Sequence, residues 1–349
     1  MISLQIASYG QCGKTALCAG LGKKLVNSGK KVAYIKPIHI TPRGKPADCN
    51  DALFVNEALE LGENKEQVCL IHISQEELGH ELSENVDGFS ARIKAVCDTV
   101  AAGKDVLIVE SPGSLKNDQA SALACYTIAE KLDTKVILLL CYSAGFKDEN
   151  TIQATKKFGD RLVGVVINEV PESRLSAVRN EATDFFKAQS IILLGVLPEA
   201  RTLKGVSVSE VAAAVGGEII SSKDKVDGLI ENIMLGAMSP DSGRDYFNRR
   251  KNKAVITRAE RADMQLAALE TSTKCLIISG NRPNASVMVK AEDKNVPVMV
   301  VNQEIKDIIA GIEQALSQTK FQNVQKLQAM SALLDSHFDY KALNAAPGI

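Results

Sequence analysis

The stretch Ser8-Tyr9-Gly10-Gln11-Cys12-Gly13-Lys14-Thr15 constrains this chain more than any other. It follows an apolar run, Ile2 to Ala7, that reads as a buried strand, and it leads into a helical pattern beginning near Lys14. A strand, a glycine turn and a helix in that order aim backbone N–H groups and the positive end of a helix dipole at an anion. Lysine followed by threonine adds a mobile positive charge for outer phosphates and a hydroxyl able to ligate magnesium. The pattern G-x-x-x-x-G-K-[ST] is met except at its first glycine, where Ser8 stands. Gly10, Gln11, Cys12, Gly13, Lys14, Thr15 and Ala16 are therefore the expected cofactor-binding loop, against the plainer alternative of an exposed glycine turn before a surface lysine.

Apolar, β-branched runs alternate with helical patterns, which predicts an α/β fold with a doubly wound, mostly parallel sheet. The expected strands are Ile2–Ala7, Lys31–Lys36, Val106–Glu110, Lys135–Cys141, Leu162–Asn168 and Ile191–Leu197. The expected helices are Thr15–Ser28, Ser90–Ala102, Asp118–Leu132, Glu149–Phe158 and Arg174–Ala188. Continuous apolarity along the strands means both sheet faces are covered. A last helix, Leu203–Val215, closes at Gly216-Gly217, and the pattern then restarts. There it predicts strands Glu218–Ile220, Ala254–Ile256, Cys275–Ser279 and Val298–Val301, and helices Lys225–Leu235, Ala262–Glu270, Gln303–Ala315 and Phe321–Ser336. At roughly 150 residues per domain, a chain of 349 residues supports two domains. The expected division is 1–215, then a smaller α/β unit over 217–320, then a C-terminal helix and tail over 321–349 with Asn344–Ile349 frayed.

The composition is that of a soluble globular protein, with 45% hydrophobic and 24% charged residues. A net charge of -1 offers no global attraction to nucleic acid or an anionic membrane, and neither is expected as a partner. No apolar segment approaches the roughly 18–20 residues of a membrane span. Cys12, Cys18, Cys49, Cys69, Cys97, Cys125, Cys141 and Cys275 show no C-x-x-C pairing, and no signal-peptide pattern opens the chain. Free thiols in a reducing cytoplasm are the expectation. Four scattered histidines without metal-ligand spacing argue against a structural zinc site.

Ligands of open parallel sheets bind outside the carboxyl ends of the strands, where the loop, Lys36, Glu110 and Asn168 are all expected. Lys36 ends a strand; it either snorkels into solvent or stabilises phosphoryl oxygens. Asp48 and Asp51 lie in a loop-to-helix stretch, where either can be a helix N-cap or a magnesium ligand, Asp51 being the better candidate. Glu110 closes the run Val106-Leu107-Ile108-Val109 as the second acidic element of a phosphoryl site does; a buried glutamate there requires a cation or a lysine beside it. Asn168, after Gly164-Val165-Val166-Ile167, either caps a turn or reads a purine edge with its amide. Lys14, Lys36 and Glu110 are the candidate catalytic groups.

These pieces resemble the dethiobiotin synthetase group of P-loop proteins, which also includes the ATP-dependent halves of cobyrinic acid diamide synthases. The matching segments are Cys12-Gly13-Lys14-Thr15, Tyr34-Ile35-Lys36-Pro37-Ile38, Asn50-Asp51-Ala52-Leu53, Val109-Glu110, Gly164-Val165-Val166-Ile167-Asn168 and Gly195-Val196-Leu197-Pro198. Their order spans nearly all of residues 1–215. The resemblance implies ATP on the loop, with Mg2+ held by Thr15, Asp51 and Glu110, Lys14 and Lys36 on the phosphates, and Asn168 with the Pro198 segment around the base. The chain departs from the family at Ala7-Ser8-Tyr9, at Ile40 where a hydroxyl residue helps hold the diamine substrate, and at Ser111-Pro112-Gly113-Ser114 after the acid. Dethiobiotin synthesis is therefore not expected.

Beyond residue 216, Gly236-Ala237-Met238-Ser239, Asn252 to Arg258, Arg261 to Glu270, Cys275 to Gly280 and Val296-Pro297-Val298 resemble the DRTGG domain. A P-loop domain followed by this domain is similar to the N-terminal regulatory half of long bacterial phosphate acetyltransferases. The acetyl-transferring half lies outside the resemblance, so acetyl transfer by this chain alone is not expected. Arg244, Arg249, Arg250, Lys251, Lys253, Arg258 and Arg261 form a basic cluster, either a solvated face or an anion pocket around Thr257, Arg258 and Arg261. The leading expectation is a magnesium-dependent, ATP-binding regulatory protein that senses a small anionic metabolite and forms a homo-oligomer. The alternatives are an ATP-dependent ligase acting on a small carboxylic acid, with or without weak ATPase activity, and a scaffold with a vestigial nucleotide site.

Overall fold

The computed structural model describes residues 1–41, 49–116, 118–237 and 243–346. Asp48, Met238 and Ser239, named above, lie outside the described residues. The chain divides into two compact units, residues 1–199 with 321–349, and residues 200–320.

The first unit is built on β1 (Ile2–Tyr9), α1 (Lys14–Asn27), β2 (Val32–Ile35), β3 (Ile38–Ile40), α2 (Asn50–Ala58), α3 (Lys65–Val68) and β4 (Ile71–Ile73). There follow α4 (Gln75–Glu84), α5 (Val86–Ala101), β5 (Val106–Glu110), α6 (Gln119–Lys131), β6 (Lys135–Cys141), α7 (Glu149–Lys156), β7 (Leu162–Val170), α8 (Leu175–Lys187) and β8 (Leu193–Pro198). Six strands form one parallel sheet in the order β2-β5-β1-β6-β7-β8. The paired strands β3 and β4 stand apart as a short parallel ladder. All six predicted strands form, within a residue or two of their expected ends.

Both faces of the sheet are buried, as its unbroken apolar runs require. On one face Phe89, Ile93 and Cys97 of α5 pack against Ala33, Ile35, Leu107 and Val109. On the other, Val178, Ala182 and Phe186 of α8 pack against Val165, Ile167 and Val196. Gln5, buried in mid-strand, is satisfied: its amide donates to Ser111 Oγ at 2.8 Å and to the Cys125 carbonyl at 2.9 Å, and it accepts from Thr134 at 2.7 Å. Local signals start the helices, for example the reciprocal Ser74–Glu77 capping box at α4.

The second unit holds α9 (Arg201–Lys204), β9 (Val206–Ser207), α10 (Val208–Val215), β10 (Glu218–Ile219), β11 (Leu229–Ile230), β12 (Asn232–Leu235), α11 (Gly243–Asn248) and β13 (Lys253–Arg258). It continues with α12 (Ala262–Leu269), β14 (Thr273–Ser279), α13 (Ala285–Asp293), β15 (Val298–Val301) and α14 (Ile305–Ser317). Its sheet has the order β10-β15-β14-β13-β12, parallel except for the edge strand β10. The predicted helix over Lys225–Leu235 is replaced by two strands. Asn232 to Leu235 pair with Lys253 to Ile256, and such a non-local partner overrides a helical apolar period.

The boundary also moves. Val208, Val211 and Val215, assigned from sequence to the end of the first domain, pack with Ala254, Ile256, Ile308 and Ile312 in the second unit's core. The expected single helix Leu203–Val215 is broken into α9, β9 and α10, because Ser207 caps α10 and its strand partner Leu229 holds the backbone extended. The C-terminal helices α15 (Val324–His337) and α16 (Tyr340–Ala345) return to the first unit. There α15 lies on α1, and Asp339 N donates to the Leu194 carbonyl at 2.7 Å. Asn344 and Ala345, expected to be frayed, are helical.

Candidate functional site

The site grows out of the carboxyl end of β1. Strand β1 is flanked by β5 and β6, and the chain connects outward to both sides of it, so a crevice opens where the strand order reverses. Gly10 and Gly13 carry positive φ values of 100° and 83°, backbone that a side chain rarely adopts. They turn the chain so that α1 begins at Lys14 with its first N–H groups directed at the loop. The loop is braced from two sides. Gly10 N donates to Ser114 Oγ at 2.9 Å, and the Asn168 amide donates to the Cys12 carbonyl at 2.8 Å. Gln11 and Gly13 are exposed at its rim, whereas Cys12 and Ala16 are buried beneath it.

Lys14 folds back over the loop: its ammonium donates to Ser8 Oγ at 3.1 Å and to the Gly113 carbonyl. Burial pushes that ammonium below the usual lysine range, Glu110 partly opposing the shift and Lys36 adding to it. Ser8, which stands where the motif has its first glycine, thus holds the lysine that follows.

Behind the loop sits a compact polar group. Thr15 Oγ1 donates to Glu110 Oε1 at 2.9 Å and lies 3.4 Å from Asp51 Oδ2. Lys36 Nζ is 2.8 Å from Asp51 Oδ2 and 3.3 Å from Glu110 Oε1. The Tyr34 hydroxyl donates to Glu110 Oε2 at 2.8 Å. Burial and the neighbouring Glu110 push the Tyr34 phenol well up, which keeps it a donor. Burial works against the charge on Lys36, but Glu110 and Asp51 outweigh it and hold the ammonium above its ordinary value. Asp51 likewise resists its burial, because Lys36 and the Ala52 backbone N–H hold its carboxyl below the usual range.

Lys36, Asp51 and Glu110, separated by up to 74 positions, are therefore one cluster with Thr15. Thr15 Oγ1, Asp51 Oδ2 and Glu110 Oε1 form a hard oxygen set facing a phosphate loop, a donor chemistry that fits magnesium. The Asn168 amide donates to the Cys12 carbonyl and so braces the loop. Pro198 is buried at the carboxyl end of β8, two strands beyond β6 on the same sheet edge. Sequence reasoning missed Tyr34 as a partner of Glu110, and Gly113 and Ser114 as braces of the loop. The latter two belong to the turn noted only as a departure from the dethiobiotin synthetase pattern. A cleft of about 630 Å³ lined by Lys135, Gly159, Asp160 and Gln189 opens at the opposite, amino ends of the strands and holds none of these residues.

In the second unit Thr257 is buried at the end of β13, Arg258 is exposed, and Arg261 forms an ion pair with Asp263 at 2.9 Å. Lys253, grouped from sequence with a basic surface cluster, is buried instead and donates to Thr271 Oγ1 at 2.9 Å and the Ser272 carbonyl at 3.0 Å.

Two further expectations change. Cys49 and Cys69 are joined as a disulfide, while the other six cysteines are buried free thiols. His39 lies beside that pair, so metal-ligand side chains that looked scattered are gathered by the fold.

A parallel sheet, a glycine loop opening a helix and a lysine–threonine pair beside two carboxylates define a P-loop NTPase-like protein. Residues 6–207 match the AAA domain and residues 210–315 the DRTGG domain, and the chain belongs to the AAA-domain family. It is 21% identical over 361 residues to a phosphate acetyltransferase of Nitratidesulfovibrio vulgaris, covering 97% of this chain and 50% of that protein. A phosphate acetyltransferase of Pseudomonas aeruginosa is 22% identical over 364 residues, covering 96% and 50%. The chain thus spans about half the length of these relatives. Its domain order fits their N-terminal regulatory region. Among solved structures, the CBS and DRTGG domains of Clostridium perfringens pyrophosphatase, complexed with the activator diadenosine tetraphosphate, align over 41% of this chain and 70% of that one. The TM-score is 0.29 and the identity 11%. No helix among the described residues is long and apolar enough to cross a membrane.

Proposed function

We propose that this chain is a nucleotide-binding regulatory protein that takes ATP with magnesium on the loop Gly10–Ala16, as the regulatory half of a phosphate acetyltransferase would. The observation that carries the reading is the convergence of Thr15, Asp51, Glu110 and Lys36 behind a braced phosphate loop. Thr15, Asp51 and Glu110 would hold magnesium, which supplies charge neutralisation for the outer phosphates. Lys14 would leave its contacts with Ser8 and Gly113 to meet those phosphates, and the exposed N–H groups of the loop would cradle them. The DRTGG unit would sense a small anionic metabolite around Thr257, Arg258 and Arg261, or carry a homo-oligomer contact.

Calorimetry with ATP and GTP, each with magnesium, tests this. Wild type should bind, Lys14→Ala should bind at least about tenfold more weakly, and chelating magnesium should weaken the wild type. No heat with either nucleotide refutes the reading. One observation favours a second reading, an ATP-dependent ligase acting on a small carboxylic acid: the Lys36 ammonium sits beside Asp51 and Glu110, from where it would have to meet a transferred phosphoryl group. Phosphate release stimulated by one carboxylic acid and lost in Lys36→Met would select that reading over regulation.

A further inference from the structure

We propose that His39, reduced Cys49, reduced Cys69 and His72 form a four-ligand site for a zinc-class divalent cation, independent of the nucleotide site. One ligand atom from each of His39, Cys49 and Cys69 lies within 4.8 Å of the other two. His72 Nδ1 is 3.9 Å from Cys49 Sγ, and the two imidazole rings stand 5.8 Å apart. In a tetrahedral site with metal–sulfur bonds of about 2.3 Å and metal–nitrogen bonds of about 2.0 Å, sulfur and nitrogen ligands sit about 3.5 Å apart. To reach that arrangement the two sulfurs separate once the disulfide is reduced, and His72 closes on the group that His39, Cys49 and Cys69 already form.

The fold delivers these donors from four separate elements. His39 of β3 and His72 of β4 are register partners in a parallel ladder, so their rings project from the same side of it. Cys49 is the residue before α2, and Cys69 is the residue after α3. Both cysteines are buried, at 1% and 2% exposure, while His72 is exposed and gives the site an entrance. Two thiolates and two imidazoles are the donor number and softness that zinc selects over magnesium or calcium.

The Cα atoms of Cys49 and Cys69 are 6.5 Å apart, a separation open both to the disulfide and to two thiolates on one metal. Moving from one to the other takes two electrons. A phosphine reductant and water convert the disulfide to two thiols and a phosphine oxide; a divalent cation then replaces the two thiol protons, which pass to solvent. The cation would tie the ladder β3–β4 to the start of α2, two residues before Asp51. A ladder of two three-residue strands has little stability of its own, and this tie would supply it.

The test uses the full chain, reduced with a water-soluble phosphine, desalted without oxygen and titrated with zinc or cobalt salts in the absence of nucleotide. Wild type should bind one zinc per chain, release two protons as it does so, and with cobalt show the thiolate-to-metal charge-transfer bands of a tetrahedral site. Oxygen ligands at Asp51 and Glu110 would give no such bands. Zinc should protect Cys49 and Cys69 from alkylation. Cys69→Ser and His72→Ala should each weaken binding at least about tenfold. Zinc binding equal to that of the Cys49→Ser/Cys69→Ser double variant overturns the proposal. So does a wild-type cobalt spectrum without charge-transfer bands, and so does affinity indifferent to His39→Ala and His72→Ala. If the variants fail to fold, the wild-type cobalt spectrum decides alone.

Discussion

Replacing Lys36 by methionine removes an ammonium that faces both site carboxylates. Lys36, Asp51 and Glu110 side chains are only 13%, 19% and 3% exposed, so solvent compensates them poorly. With separations of 2.8 and 3.3 Å and an effective dielectric near 20, the gross attractions are about 6 and about 5 kcal/mol. Desolvation of the ammonium offsets much of that. What remains on breaking such a group is the cost of leaving two buried carboxylates side by side, about 3–5 kcal/mol. Denaturant unfolding of Lys36→Met against wild type at neutral pH, without magnesium, should show a loss of that size. Excess magnesium should restore about half of it or more, because a divalent ion on Asp51 and Glu110 replaces the missing charge.

Acid should close the gap as well. The folded-state value of Asp51 is lowered, so its contribution to wild-type stability is present above the ordinary carboxylate range and is lost as pH falls through the folded value. Without Lys36 that contribution is absent, so the two proteins should converge on acidification. A loss below about 1 kcal/mol would mean that the carboxylates are compensated elsewhere. A loss unchanged by magnesium and by acid would refute the argument that Thr15, Asp51, Glu110 and Lys36 are one electrostatic unit.

Other outcomes follow from the fold. A Cβ at Gly195 would stand 2.8 Å from the His337 carbonyl oxygen, a backbone atom that cannot swing aside. Gly195→Ala should therefore loosen the C-terminal segment and cost about 1–3 kcal/mol, with new proteolytic cleavage after residue 320; unaltered cleavage would contradict that docking. Burial lowers the Lys253 ammonium to about 8, below its unfolded value of about 10.4. Between those values the unfolded chain binds more protons, so wild-type stability should gain as pH rises from about 8 to about 10 relative to Lys253→Met. Parallel pH profiles for the two proteins would show that the folded chain does not lower the Lys253 ammonium.

Much of the site was readable in one dimension because its parts are local. A glycine turn between an apolar strand and a helix aims backbone N–H groups at one point, and Gly10 to Lys14 adopt that turn. The six strands of the first unit were equally legible, since buried parallel strands are written as unbroken apolar runs. Lys36 and Glu110 could be placed at strand ends for the same reason, and Asp51 beside a helix start. Whether Lys36 snorkelled or served the site was undecided until the order β2-β5-β1 brought strand ends at residues 9, 35 and 110 to one edge.

What only the tertiary structure decided is every partnership between distant segments. Lys36 bridges Asp51 and Glu110, Tyr34 donates to Glu110, and the Asn168 amide donates to the Cys12 carbonyl. Lys253, one of a run of basic residues in sequence, is turned inward on β13. The segment Asn232–Leu235 becomes a strand because β13 is there to receive it. His39, Cys49, Cys69 and His72 carry no recognisable spacing until the ladder of β3 and β4 sets them side by side. Periodicity reports which face of an element is apolar; which other element covers that face, and which side chains meet across it, depends on packing summed over the whole unit.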